Sequence, residues 1–165
     1  MTISALNLLK GTYGSIRAMG DKVISSDGAL EIEGFEDMWM LTKQFPWPVM
    51  SSGGEIEIPM PMGMNSTQPQ QTKIYHQGAI TLFETTANHV SAMMLSQLRS
   101  GARFNAKVYE GVPESFIRAK RIVDCFLVLD NPDRDWENRS QVMTITGTIH
   151  FHYFGDDIPG NRAPV

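Results

Sequence analysis

Apolar and polar positions alternate most cleanly between Gln141 and Tyr153. Met143, Ile145, Ile149, Phe151 and Tyr153 fall on one side; Thr144, Thr146, Thr148, His150 and His152 fall on the other. A period of two with threonine on the wet side predicts a half-buried strand. Thr72 to Thr85 predicts a second strand. It places Ile74, Ile80 and Leu82 on even positions and Lys73, Gln77 and Thr81 on odd ones, with Tyr75 and Phe83 breaking the strict alternation. Thr85 or Thr86 is placed to cap a following helix. Val90, Met94 and Leu98 recur every four residues beside Ala87 and Met93, which predicts that the helix packs through that stripe. Arg99 suits the last turn of the helix, and Gly101 ends it. Phe104, Ala106 and Val108 then alternate with Arg103, Asn105, Lys107 and Tyr109, a third strand that turns at Glu110-Gly111. A helix between two such strands is expected to cover the apolar side of a sheet.

The rest of the chain is less regular. Ser115 to Leu129 predicts one or two strands. Its first half is polar on the side of Arg118, Lys120 and Asp124, and its second half is apolar on both sides, as in a strand running from a rim into a centre. Leu30 and Ile32 against Glu31 and Glu33 predict a short strand after an Asp27-Gly28 turn. Residues 1–28 are weakly patterned, with Gly11, Gly14 and Gly20 interrupting Ala5, Leu6, Leu8 and Leu9. Met38 to Lys43 fits a strand or a short turn equally. Phe45 to Met64 carries Pro46, Pro48, Pro59 and Pro61, which forbid a helix. It fits an extended, hairpin-like arm with Ser51-Ser52-Gly53-Gly54 at its tip, or a long surface loop. Met50, Met60, Met62 and Met64 imply that either one lies on something. Residues 65–71 are expected to be polar and mobile, residues 130–140 to be a charged loop, and the tail from 155 or 156 to 165 to be loose or docked on a neighbour.

Length and composition narrow the class. A chain of 165 residues is expected to be a single domain, and at that size it buries roughly 70% of its unfolded surface. No apolar run has transmembrane length, the first residues are not read as a signal peptide, and no membrane insertion is expected. The net charge of −4 comes with no lysine or arginine cluster, so no grip on nucleic-acid phosphates is expected. One cysteine, Cys125, excludes an internal disulfide and is read as a buried small hydrophobe. His150 and His152 offer two imidazoles on one strand face but no third ligand. Asp130, Asp133, Asp135 and Glu137 resemble a calcium loop, yet Pro132 sits among them and the central glycine is missing. No nucleophile elbow, phosphate loop or dinucleotide loop occurs. The expectation is no enzyme, no cofactor and no metal.

The edges then point to assembly. A strand of about thirteen residues spans roughly 43 Å, long for a lone domain of this size. One small helix cannot cover all the sheet borders, and open borders invite association. Copies closing edge to edge in a ring would pair them, with the threonine face lining a wet bore.

Taken in order, the proline arm, the strand ending ITLFETT, the helix ANHVSAMMLSQL, the strand RFNAKVYEG, the strand ending DCFLVLDN, a charged loop and the strand ITGTIHFHYFG resemble the tail-tube protein of contractile-tailed bacteriophages. That fold is shared with the haemolysin-coregulated protein of type VI secretion. The resemblance spans roughly residues 30–155. It implies a mainly β subunit, a β-sandwich or small barrel with one flanking α-helix, assembling into hexameric rings around a β-lined bore. It implies a structural virion protein whose rings stack into a conduit for DNA ejection, assembled in the host cytoplasm and located in the virion tail. The implied partners are copies of itself, the tail sheath, baseplate and tail-terminator proteins, and passing genomic DNA that is not specifically bound.

For the lumen, the expected residues are Thr144, Thr146, Thr148 and His150, then Lys73, Gln77 and Thr81, with Asn105 and Lys107 behind them and the lysines offset by Glu84 or Glu110. For ring stacking they are Pro46, Trp47, Pro48, Met50, Glu55, Ile56, Glu57, Ile58, Met60 and Met62. For helix packing they are Val90, Met94 and Leu98. The competing readings are a type VI tube protein, a single-ring baseplate or tail-completion protein, and a small β-barrel enzyme or binding module.

Overall fold

The computed structural model describes residues 5–163. The chain is mainly β, as the alternating segments predict. Its strands are β1 (Ala29–Ile32), β2 (Thr42–Gln44), β3 (Glu55–Pro59), β4 (Asn65–Pro69), β5 (Tyr75–Phe83), β6 (Phe104–Val112), β7 (Ser115–Leu129), β8 (Thr144–His152) and β9 (Asp157–Pro159). Two helices, α1 (Leu6–Ala18) and α2 (His89–Arg99), and a 3-10 helix at Glu36–Leu41 complete the body.

Seven strands form one antiparallel sheet in the order β1-β6-β7-β8-β5-β2, with β9 added against β7. β1 and β2 end the path without pairing to each other, so no barrel closes. The sheet curls at β7. The part of this strand before Asp124 pairs mostly with β6, and the part after it pairs with β8. Asp124 has φ +51°, and the register with β8 shifts between Val123 and Phe126. An extra residue there reverses which side chains face inward. Ile122 and Cys125, three apart, therefore both join the main core, where strict alternation would have separated them. That core gathers Leu30 and Ile32 from β1, Ile80 and Leu82 from β5, and Ala106 and Val108 from β6. Ile145, Ile149 and Phe151 from β8 complete its strand side, and Val90 and Met93 of α2 close it.

Several expectations need correction. α1 was not expected; Gly11 and Gly14 hide it, and none of its residues is buried. Met38 to Lys43 divides between the 3-10 helix and β2. β6 continues through Glu110 and Gly111 to Val112, because Glu110 is buried against Arg118 (2.7 Å) and does not stand at a turn. The C-terminal segment lies on its own chain and is not loose. β9 pairs with Arg118–Lys120, Tyr153 donates to Asp157 (2.6 Å), and Asn161 bonds Phe116 N–H and Glu114 C=O (2.9 Å each). Ile158 thereby covers a second small cluster of Ala29, Tyr109 and Ala119 on the far face of the sheet. Pro164 and Val165, the end of the predicted tail, lie outside the described residues.

Candidate assembly surfaces

Among the described residues, surfaces able to meet another molecule include one sheet face, an arm, and the outer sides of the helices. The sheet face is built from register. Thr144, Thr146, Thr148, His150 and His152 of β8 stand opposite Phe83, Thr81, Ala79, Gln77 and Tyr75 of β5. On the other side, Phe126 and Val128 of β7 stand opposite His150 and Thr148. Directly opposed residues in an antiparallel pair project to the same side. Six of the residues expected to line a bore, Thr144, Thr146, Thr148, His150, Gln77 and Thr81, therefore share one face.

No residue of β5 or β8 is acidic, lysine or arginine, so this face is neutral and polar with aromatic margins. His150 lies flat on Phe126, with ring centroids 4.7 Å apart. Thr81 is nearly covered, its hydroxyl bonded to Gln44 of β2 at 3.3 Å. Lys73 precedes β5 and sits over the Tyr75 ring, 5.4 Å from its centroid. The expected neutralising partners do not serve the lysines: Glu110 pairs with Arg118, and Glu84 is taken up by α2. Sequence reasoning missed Phe126 and Val128 as members of this face, since only the shift after Asp124 turns them outward.

The arm is a β3–β4 hairpin that pairs with no other strand, and all its residues are exposed. Its tip is not at Ser51–Gly54. Those residues form its base, where Gly53 N–H donates to Gln71 C=O (2.8 Å), Gln70 N–H to Gly54 C=O (2.9 Å), and Lys73 N–H to Ser51 C=O (2.9 Å). Residues 65–71, expected to be mobile, supply the returning strand and this base. The reversal falls at Met60–Met64, where Met62 (φ +62°) and Gly63 (φ +73°) take left-handed conformations between Pro59 and Asn65. Glu55, Ile56, Glu57 and Ile58 run up β3, and Asn65 donates to Glu57 at 2.8 Å. Met60 and Met64 are about half exposed, and Met62, 96% exposed, crowns the tip.

Pro46, Trp47 and Pro48 belong to the root. Lys120 Nζ donates to Pro48 C=O (2.7 Å) and lies 5.0 Å from the Trp47 ring centroid and 5.2 Å from that of Tyr153. Pro48 is buried, and Pro46 sits on Gly78 so closely that a Cβ there would come within 2.4 Å. Met50 remains exposed below the hairpin.

α2 is turned differently from the four-residue stripe. Val90, Met93 and Gln97 are buried, Met94 is half-buried and Leu98 is 60% exposed. Steps of four advance about 40° each round a helix, so Leu98 drifts off the face that Val90 starts. Of the predicted caps Thr85 takes a minor part, its hydroxyl accepting from the His89 amide at 3.5 Å, and Glu84 does most of the capping. Its carboxylate accepts from the amides of Thr85 (2.9 Å), Val90 (3.1 Å) and Ser91 (3.0 Å) and from the Ser91 hydroxyl (2.9 Å). Burial works against its charge, but these donors outweigh burial and hold the carboxyl below its ordinary value. Gly101 at φ +105° ends α2, as expected.

Burial, with Asp124 beside it, pushes the Cys125 thiol up to about 12, so at neutral pH it stays protonated. Tyr109 is likewise pushed up to about 12 by burial and by Glu31, to which it donates at 3.2 Å. Among the described residues no three His, Cys, Asp or Glu side chains converge as metal ligands. No described helix is long and apolar enough to cross a membrane.

No protein-family model matches the chain, and no curated protein matches it. Solved structures do share its fold. A chain of the sheath–tube complex of the extracellular contractile injection system PVC, in its extended state, superposes with a TM-score of 0.57 at 11% identity, over 87% of this chain and 95% of that one. A chain of the anti-feeding prophage cap, which terminates the tube, gives 0.55 at 11% identity over 84% and 92%. A chain of the anti-feeding prophage baseplate, 6-fold symmetrised, gives 0.54 at 12% identity over 85% and 96%. At such identities the likeness establishes the fold, one found in parts of contractile injection machines.

Proposed function

We propose that the chain is the repeating subunit of a phage tail tube of the contractile type. Copies close into six-membered rings, rings stack through the β3–β4 arm, and the β5–β8 face lines a bore through which DNA leaves the virion. The observation that carries this reading is the pairing of a neutral, in-register sheet face with a projecting hairpin that pairs with no other strand among the described residues and has an exposed apolar tip. The threonine, glutamine and alanine centre of the lining offers phosphates no fixed cation, Lys73 and Lys43 standing only at its margins over Tyr75 and Phe83, so a polyanion slides without being held. The open ends of the sheet, β1 and β2, supply the edges by which neighbours join. The sheath, the baseplate and a tail terminator are then the outer and end partners, and no catalytic step is assigned.

The nearly equal likeness to cap and baseplate chains supports a second reading, a single ring at one end of a tube. Negative-stain electron microscopy of the purified protein separates the two. Stacked hollow tubes support the repeating subunit, isolated rings support the end component, and strictly monomeric particles at high concentration sink both. Deleting Ser51–Ile58 should leave soluble rings or monomers and abolish stacking; tubes of normal length from that deletion would end the role given to the arm.

A further inference from the structure

Among the described residues, α1 (Leu6–Ala18) has no buried side chain. It is 13 residues long, contains Gly11 and Gly14, and has no side-chain cap at Ala5. Helices of that length are marginal in water even with better sequences, so packing must hold this one in its working state. Successive steps of 100° place Leu6, Leu9, Tyr13 and Ile16 within an arc of about 80°, with Lys10 and Arg17 along one margin. All four apolar residues are exposed, Leu6 at 82%. The helix carries no acidic residue.

A matching surface lies elsewhere on the chain. The 3-10 helix Glu36–Leu41 and α2 border an open groove of about 370 Å³. Phe35, Met38, Ala87, Ala92 and Met93 line it with His89, and the exposed Glu36 and Asp37 belong to the same lining. Neither acid joins an ion pair among the described residues. The fit is an apolar stripe with a basic margin against a largely apolar groove with these two acids in its lining.

We propose that α1 of one copy docks in the groove between the 3-10 helix and α2 of a second copy, with Lys10 and Arg17 facing Glu36 and Asp37. Within one chain both surfaces are uncovered together. Each copy offers one helix and one groove, and in the ring reading the contact runs head-to-tail from subunit to subunit. The inference rests on the ring reading and adds the element that clasps neighbouring subunits.

The test uses cysteine pairs in the full chain, since native Cys125 is buried and does not compete. Leu9→Cys and Ala92→Cys are made as separate proteins, mixed and oxidised. The expected product is a disulfide-linked heterodimer on a non-reducing gel. It should fall at least tenfold when Lys10→Glu and Arg17→Glu are added to the first protein, and return when Glu36→Lys and Asp37→Lys are added to the second. A double variant, L9C with A92C, that closes only within its own chain would show that α1 folds back, and the proposal fails. Flotation of the protein with phosphatidylserine vesicles, lost on deleting residues 5–18, together with no cross-link, would assign α1 to a membrane surface and also overturn it. Microscopy of the same samples separates the two readings. Rings without the cross-link sink the helix contact alone, and neither rings nor cross-link sinks both.

Discussion

Glu84 precedes α2 by five positions, yet it holds the start of that helix. Its carboxylate meets amide hydrogens that the first turn leaves without partners. Because its folded pKa is lowered, its stabilisation is complete above the ordinary carboxyl range near 4.3 and is lost as pH falls through the lower folded value. Glu84→Gln should cost about 1–2 kcal/mol near neutral pH, with the gap to wild type closing in acid; thermal melts of both proteins between pH 7 and 3 measure this. A constant gap across that range would mean that the charge is not what caps the helix. The face of α2 can be weighed in the same way. Met93→Ala should cost about 2–5 kcal/mol, whereas Leu98→Ala should cost under about 1 kcal/mol, read from urea denaturation. The reverse order would mean that the helix packs through the four-residue stripe.

The arm and its root act together as an element. Two strands alone are marginal in water, and β3–β4 has no face against the body. Its direction is therefore set at the bottom, where Lys120, Trp47 and Pro48 clamp the chain and Pro46 rests on Gly78. Gly78→Ala adds a methyl group where Pro46 already sits. The expected loss is about 1–3 kcal/mol by denaturation, with stacking reduced more than ring formation under the microscope. Rings and tubes reduced in equal measure would show that the root supports the fold alone. β7 is the other element on which much depends. Its irregularity at Asp124 lets one strand serve both halves of the sheet, and it sends Phe126 and Val128 to the face opposite Cys125.

For the whole molecule the decisive property is that β5 and β8 bring no lysine, arginine or acid of their own to the middle of their shared face. Thr146→Lys with Thr148→Lys would give every subunit two cations on that face. If it lines a bore, the double variant should still form rings but retain DNA that wild type releases, with binding that weakens steeply between 50 and 200 mM salt. Absorbance at 260 nm and nuclease protection of purified assemblies read this out. Unchanged DNA content with intact rings would place the face away from the channel.

Local pattern determined a good deal of this. The alternation of β8, the even positions of β5, the glycine stop of α2 and a prolyl arm between strands are all legible, because a period of two and the backbone limits of proline and glycine act within a few residues. The tertiary structure decided what depends on distant partners. Asp124 gives no sign in sequence that the strand changes phase there, since a bulge answers to the two neighbours β7 must satisfy. The turn at Met60–Met64 follows Glu55–Pro59, which alternates plainly, but the returning strand Asn65–Pro69 is polar throughout and carries no alternation to reveal it as the partner. Glu84 could not be recognised as a cap, because it reaches α2 across the intervening residues and only the fold brings it there. α1 escaped notice because Gly11 and Gly14 interrupt its pattern and, among the described residues, no burial within the chain enforces one.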